Sequence, residues 1–156
     1  MIDQPFTNAI PERMSVVLID MGSMSGQKDT NPLYFHHCHL SNIHITINGS
    51  SLYNINTDFD RSNYSHIFYE SQKSMGIDVD NMVSYNSFLK GRSIFSFNFL
   101  NEEVEDTLPV EQSANLRISL SFRNPLPSPY VVILLADTIG IISIDGQRIV
   151  TCDVRG

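Results

Sequence analysis

Apolar and polar side chains alternate with period two along several stretches of the chain, and that period predicts strands with one buried face. The clearest case sets Leu116, Ile118, Leu120 and Phe122 against Arg117, Ser119 and Ser121. Across 93–100, Phe95, Phe97 and Phe99 alternate with Ser96 and Asn98, which predicts a half-buried strand with three rings inward and polar groups outward. Positions 14–21 carry Val16, Val17, Leu18 and Ile19 and close at Gly22, the pattern of a buried strand. From 33 to 47 the chain reads as extended, with Tyr34, His36 and Cys38 on one face and Phe35, His37 and His39 on the other. Ile43, Ile45 and Ile47 then line a single face, and one strand or two fit equally well.

Asn48-Gly49 is the strongest hairpin signal, because both residues tolerate the positive φ of a type I′ turn, so 51–55 should return antiparallel to 43–47. The run 130–136 is continuously apolar and reads as a strand buried on both faces. Two further strands are expected at 139–144 and 148–152, joined by an Asp145-Gly146 turn.

The period changes to that of a helix at 63–75, where Tyr64, Ile67, Phe68, Ser71 and Met75 recur on one face. Asp60 and Ser62 are available as caps and Gly76 as a stop. Between these elements, 1–11 is a polar arm, 22–32 a turn-rich loop and 101–111 an acidic solvated loop. Pro125, Pro127 and Pro129 make an irregular corner, since proline gives no amide to a ladder and restricts the residue before it. Eight or so short strands and one short helix predict an all-β fold, a single antiparallel sandwich spanning 1–156.

Composition narrows the function classes. Charged residues are 17% of 156 and apolar residues 42%, a folded-domain balance. The formal charge of -7 leaves no obvious source for the phosphate attraction behind nucleic-acid affinity, so no direct nucleic-acid partner is expected. The longest apolar stretch, 130–144, is broken by Asp137 and Gly140 and is shorter than the roughly 20 residues of a spanning helix, so no membrane partner is expected either. The first residues lack the basic and apolar regions of a secretory leader, which predicts a cytoplasmic or nuclear chain. The sequons at Asn48 and Asn63 then read as turn chemistry, and Cys38 and Cys152 as idle thiols of a reducing compartment.

The residues that could carry chemistry argue for no enzyme. His36, His37, Cys38 and His39, with His44 nearby, resemble a metal cluster only until the strand alternation is applied. Then only His37 and His39, or His36 and Cys38, share a side, whereas a closed zinc site needs four converging ligands. These histidines are expected to be hydrogen-bonded or interfacial, with no metal or cofactor. No nucleophile elbow, Cys-His signature or phosphate-binding loop occurs, so no catalytic residue is assigned. Glu102, Glu103, Glu105 and Asp106 lack the alternation and central glycine of a calcium loop, and Phe95, Phe97 and Phe99 read as core rather than as a stacking platform.

The C-terminal third carries a family likeness. The run Asn115-Leu116-Arg117-Ile118-Ser119-Leu120-Ser121-Phe122, the corner Pro125-Leu126-Pro127, the strand Val131-Val132-Ile133-Leu134-Leu135-Ala136-Asp137 and the close Ile142-Ser143-Ile144-Asp145-Gly146-Gln147-Arg148 resemble the end of the Polinton (Maverick) major capsid protein, of the adenovirus-hexon-like double jelly-roll lineage. Earlier landmarks agree in order: Pro11-Glu12-Arg13, Asn31-Pro32-Leu33-Tyr34-Phe35-His36-His37, the 45–52 hairpin, the 64–68 helix and 91–100.

The resemblance implies a single antiparallel jelly-roll sandwich of about eight strands with one short helix, the second of the two that such proteins carry. In that family, trimers of double jelly rolls form pseudo-hexagonal capsomers, whereas here the first jelly roll is absent. The expected function is a structural capsid-type module, located in a virion capsid or otherwise in the host cytoplasm or nucleus. Its expected partners are copies of itself, as a trimer, or a full-length major capsid protein. His36, His37, His39, Arg117, Arg123, Pro125, Pro127 and Pro129 are its expected contact residues. Rival readings are a lectin-like ligand-binding jelly roll, since fold does not fix function, and a co-opted capsid fragment that interferes with assembly.

Overall fold

The computed structural model describes residues 1–6, 10–76, 83–99, 115–138, 140–144 and 150–154, the last two segments as backbone. In chain order the elements are β1 (Ile2–Asp3), β2 (Arg13–Asp20), α1 (Met21–Met24), β3 (Leu40–Ile47), β4 (Ser50–Asn56), α2 (Ser65–Ser74), α3 (Tyr85–Leu89), β5 (Phe95–Asn98), β6 (Leu116–Phe122), β7 (Tyr130–Asp137), β8 (Gly140–Ile144) and β9 (Val150–Val154). One antiparallel sheet runs β1-β6-β3-β4 and a second runs β5-β2-β7, while β8 and β9 pair with each other.

The two larger sheets face one another through the apolar rows that the period placed on single faces. Ile43, Ile45, Ile55, Leu116 and Ile118 come from the first sheet, and Met14, Val16, Leu18, Phe95 and Phe97 from the second. All ten are at most 2% exposed, and burying each such side chain contributes roughly 1.5–3 kcal/mol. Tyr53 of β4 links the layers: its ring centroid lies 5.0 Å from that of Phe97, and its hydroxyl donates to the Asn98 carbonyl at 2.6 Å. The mostly β architecture and facing antiparallel sheets match the sandwich read from the sequence.

The Asn48-Gly49 hairpin also forms as expected, with φ of 50° and 82°, both in the left-handed region that the I′ turn requires. Ile43 pairs with Ile55 and Ile45 with Tyr53, and the register slips after Ile45. β6 lies antiparallel to β3, Ile118 opposite Ile45.

Several expectations are corrected. Residues 33–39 form no strand: Phe35 makes a single bridge to Arg92, and Cys38 and His39 take φ of 50° and 49°, which turns the chain just before β3. The strict alternation expected for His36 to His39 therefore fails. Within the polar arm, Ile2 and Asp3 pair with Ile118 and Arg117 as an added edge strand that the sequence pattern did not predict.

The helix is not alone. α1 follows Asp20, whose carboxylate accepts the Gly22 and Ser23 amides, and α3 follows Ser84, whose hydroxyl accepts the Ser87 amide. Four- and five-residue helices are too short to show a period. At α2, Asp60 and Ser62 do not cap; the preceding Tyr64 makes no side-chain cap bond. Asp60 is drawn instead to His39 and Arg123, and the Ser62 carbonyl accepts the Tyr85 hydroxyl at 2.9 Å. Gly76, at φ 62°, closes the helix as expected.

β5 is not half-buried. Its polar Ser96 is fully buried, because α2 lies against this strand. β7, expected to be buried on both faces, is the opposite case: none of its residues is buried, and Leu135 is 60% exposed. Among the described residues it is the outer strand of its sheet, with a neighbour on one side only. The 101–111 loop and the Asp145-Gly146 turn lie outside the described residues.

Candidate interaction surface

The second sheet has two apolar faces. Directly paired residues share a side, so Val16 with Leu134 and Leu18 with Val132 look inward. Val17 with Ile133, Ile19 with Val131 and Ser15 with Leu135 look outward. Val17 and Ile19 are buried, Val131 and Ile133 half-buried and Leu135 exposed, so the cover thins across the sheet towards β7. The outer face of the first sheet is polar by comparison. There, Asn42 donates to Asn54 and Asn56 at 2.8 and 2.9 Å, and His44 meets Ser51 at 3.0 Å.

The sheet's two edges also differ. Along β5 the Ser96 amide donates to the Ser71 hydroxyl at 3.2 Å, so α2 occupies that edge. Along β7, among the described residues, no strand takes the second edge. An exposed apolar edge strand is a template for pairing with another chain. At its end Arg13 Nε donates to Asp137 at 2.7 Å.

The eight contact residues expected from the sequence fall into separate places. His37, His39 and Arg123 converge on the 58–60 turn. The His37 ring stacks on Phe59 with centroids 4.4 Å apart, and its Nδ1 accepts the His39 amide at 3.1 Å. His39 Nδ1 lies 2.8 Å from Asp60, and Arg123 grips Asp58 with two bonds of 2.9 and 2.6 Å. Burial pushes the His37 imidazole down to about 4, helped by His39 and opposed by Asp60. At Asp58 burial is the largest influence and works upward, but the Arg123 hydrogen bonds, the Arg61 amide and the charges of both arginines together outweigh it and hold the carboxyl below its usual range. These three side chains tie one loop to another, which leaves them less to offer a neighbour.

Arg117 stands apart on the polar outer face, paired with Asp3. Pro125, Pro127 and Pro129 are exposed, and the Pro129 carbonyl accepts the Met21 amide at 3.0 Å. His36 lies elsewhere again, its ring 4.6 Å from Tyr34 and 5.3 Å from Tyr130, in a depression that also reaches Asp20, Ser23, Thr30 and Asn31. Burial lowers its imidazole pKa against the pull of Asp20, and burial raises the nearby Cys38 thiol to about 11.

Sequence reasoning missed the β7 surface, although its signal was the apolar run 130–136. Among the described residues, no group of three or more His, Cys, Asp or Glu side chains is arranged to hold a metal, and no helix is long and apolar enough to cross a membrane. No family model, curated protein or solved structure matches the chain.

Proposed function

We propose that this chain is a structural module of capsid type, which works by packing against copies of itself or related chains through the outer face and open edge of β7. The observation that carries this reading is Leu135, 60% exposed beside half-buried Ile133 and Val131 on a strand that has one neighbour among the described residues. Apolar area left on a well-formed sheet is stabilised when a second surface covers it, at roughly 25 cal/mol per Å². The likeness of 115–148 to Polinton capsid proteins supports jelly-roll connectivity, a trimer as the assembly, a full-length major capsid protein as the other partner and a virion shell as the location.

Sedimentation velocity over a range of concentrations tests the reading. The expected result is a mass that grows with concentration for the native chain, and a monomer for Leu135→Glu with an unchanged circular dichroism spectrum. A native chain that stays monomeric throughout, or a Leu135→Glu variant that assembles as well as the native chain, overturns it.

A further inference from the structure

The segment after α1 crosses the ends of β2 and β7, where Tyr34, His36 and Tyr130 line a depression of about 360 Å³. It is shallow and open to solvent, with Thr30, Asn31 and Tyr34 exposed along it, so a ligand there would be held on one side only. Tyr34 is 41% exposed and its ring is held against the backbone of Gly91: a Cβ there would sit 2.5 Å from two ring carbons. The His36 ring lies 4.6 Å from the same ring, tilted by 54° to it, and meets Tyr130 edge-on at 78°. The result is an exposed aromatic platform whose position is fixed before any ligand arrives.

The charge of the depression selects among ligands. No lysine or arginine lines it, and burial keeps His36 neutral at neutral pH, so nothing there attracts a phosphate or carboxylate. Asp20 is its one charge, and its oxygens already accept the Gly22 amide at 2.8 Å and the Ser128 hydroxyl at 2.6 Å.

Around the platform are polar groups of both senses. Asn31 Oδ1 accepts the Leu33 amide at 2.9 Å, which leaves its Nδ2 to donate. Thr30 spends its proton on the Gln27 carbonyl at 2.8 Å and keeps its oxygen as an acceptor. Ser23 lines the same wall, and the Asp20 carboxylate has lone pairs beyond its cap bonds. A sugar hydroxyl both donates and accepts, and the C–H face of a pyranose ring lies well on an aromatic ring.

We infer that this depression is a carbohydrate site, in which Tyr34 carries the apolar face of one pyranose ring of a neutral sugar while Asn31, Thr30, Ser23 and Asp20 bind its hydroxyls. The site goes beyond the proposed assembly role and does not depend on it, since Tyr130 shares the inward side of β7 with Val132 and Leu134 and not the side of Leu135.

Saturation-transfer difference NMR on the full chain tests it, with the methyl glycosides of glucose, galactose, mannose and N-acetylglucosamine as probes and tetramethylammonium as a comparison. The expected result is transfer to at least one glycoside, strongest on ring C–H protons. Binding should weaken at least about tenfold in Tyr34→Ala, survive in Tyr34→Phe and weaken in Asn31→Ala. It should persist in Leu135→Glu, which separates this site from the assembly surface. Absence of transfer to all four glycosides, equal transfer in Tyr34→Ala, or transfer to tetramethylammonium alone overturns the inference.

Discussion

The hydroxyl of Ser71 accepts the amide of Ser96 at 3.2 Å and donates to the Ile67 carbonyl at 2.7 Å, so one side chain joins α2 to the edge of β5. Both residues are fully buried, and water cannot replace the bond. Ser71→Ala should leave the Ser96 amide unpaired and cost about 1–3 kcal/mol. Urea denaturation checks the cost, and faster hydrogen exchange at Ser96 locates it.

Phe97 and Leu135 are both apolar strand residues of the same sheet, one 0% and the other 60% exposed. Phe97→Ala should destabilise the monomer by about 3–5 kcal/mol, because it opens a cavity against Tyr53 and Met14. Leu135→Ala should change monomer stability by less than about 0.5 kcal/mol and act on association instead. Denaturation at low protein concentration, where assembly does not contribute, separates the two.

Gly49 and Gly91 take almost the same backbone angle, φ 82° and 84°, but in different surroundings. A Cβ at Gly49 meets nothing within 4 Å, whereas at Gly91 it meets the Tyr34 ring. Gly49→Ala should cost only the left-handed strain, about 1–2 kcal/mol. Gly91→Ala should cost more and should displace Tyr34, visible as shifted ring resonances and lost sugar binding.

Acid should loosen the corner where His37 stacks on Phe59. The folded pKa of His37, about 4, is below its ordinary 6.5, so the unfolded chain binds the extra proton first. Its contribution is complete above pH 6.5 and is lost as pH falls from 6.5 towards about 4. The lowered pKa of His36 acts in the same direction. The thermal midpoint should fall across that window, and His37→Gln should flatten the fall. Asp58, held by Arg123, adds a loss at more acidic pH, below its ordinary 3.8.

The candidate surface was half legible. The run 130–136 announced an apolar strand, but the assumption that both its faces were covered came from hydrophobicity alone. The histidines read as hydrogen-bonded or interfacial; the side chains of His37 and His39 do make polar contacts, but the directions of the 36–39 side chains were not legible, because the left-handed φ at Cys38 and His39 breaks strand alternation. Tyr34 and Asn31 gave no signal in the sequence, since a platform requires Gly91, far along the chain, to lie beneath the ring.

By itself the sequence determined β2, β4 and β6, the inward rows of β2, β3, β5 and β6, the Asn48-Gly49 turn and the helix over Tyr64 and Ile67, because period and turn chemistry are local properties of the backbone. Tertiary structure alone decided that Ser96 is sealed by α2 while Leu135 is left bare, and that His36 joins Tyr34 while His37 joins Phe59. Coverage depends on which distant segment arrives over a face or an edge, and no local pattern encodes that arrival.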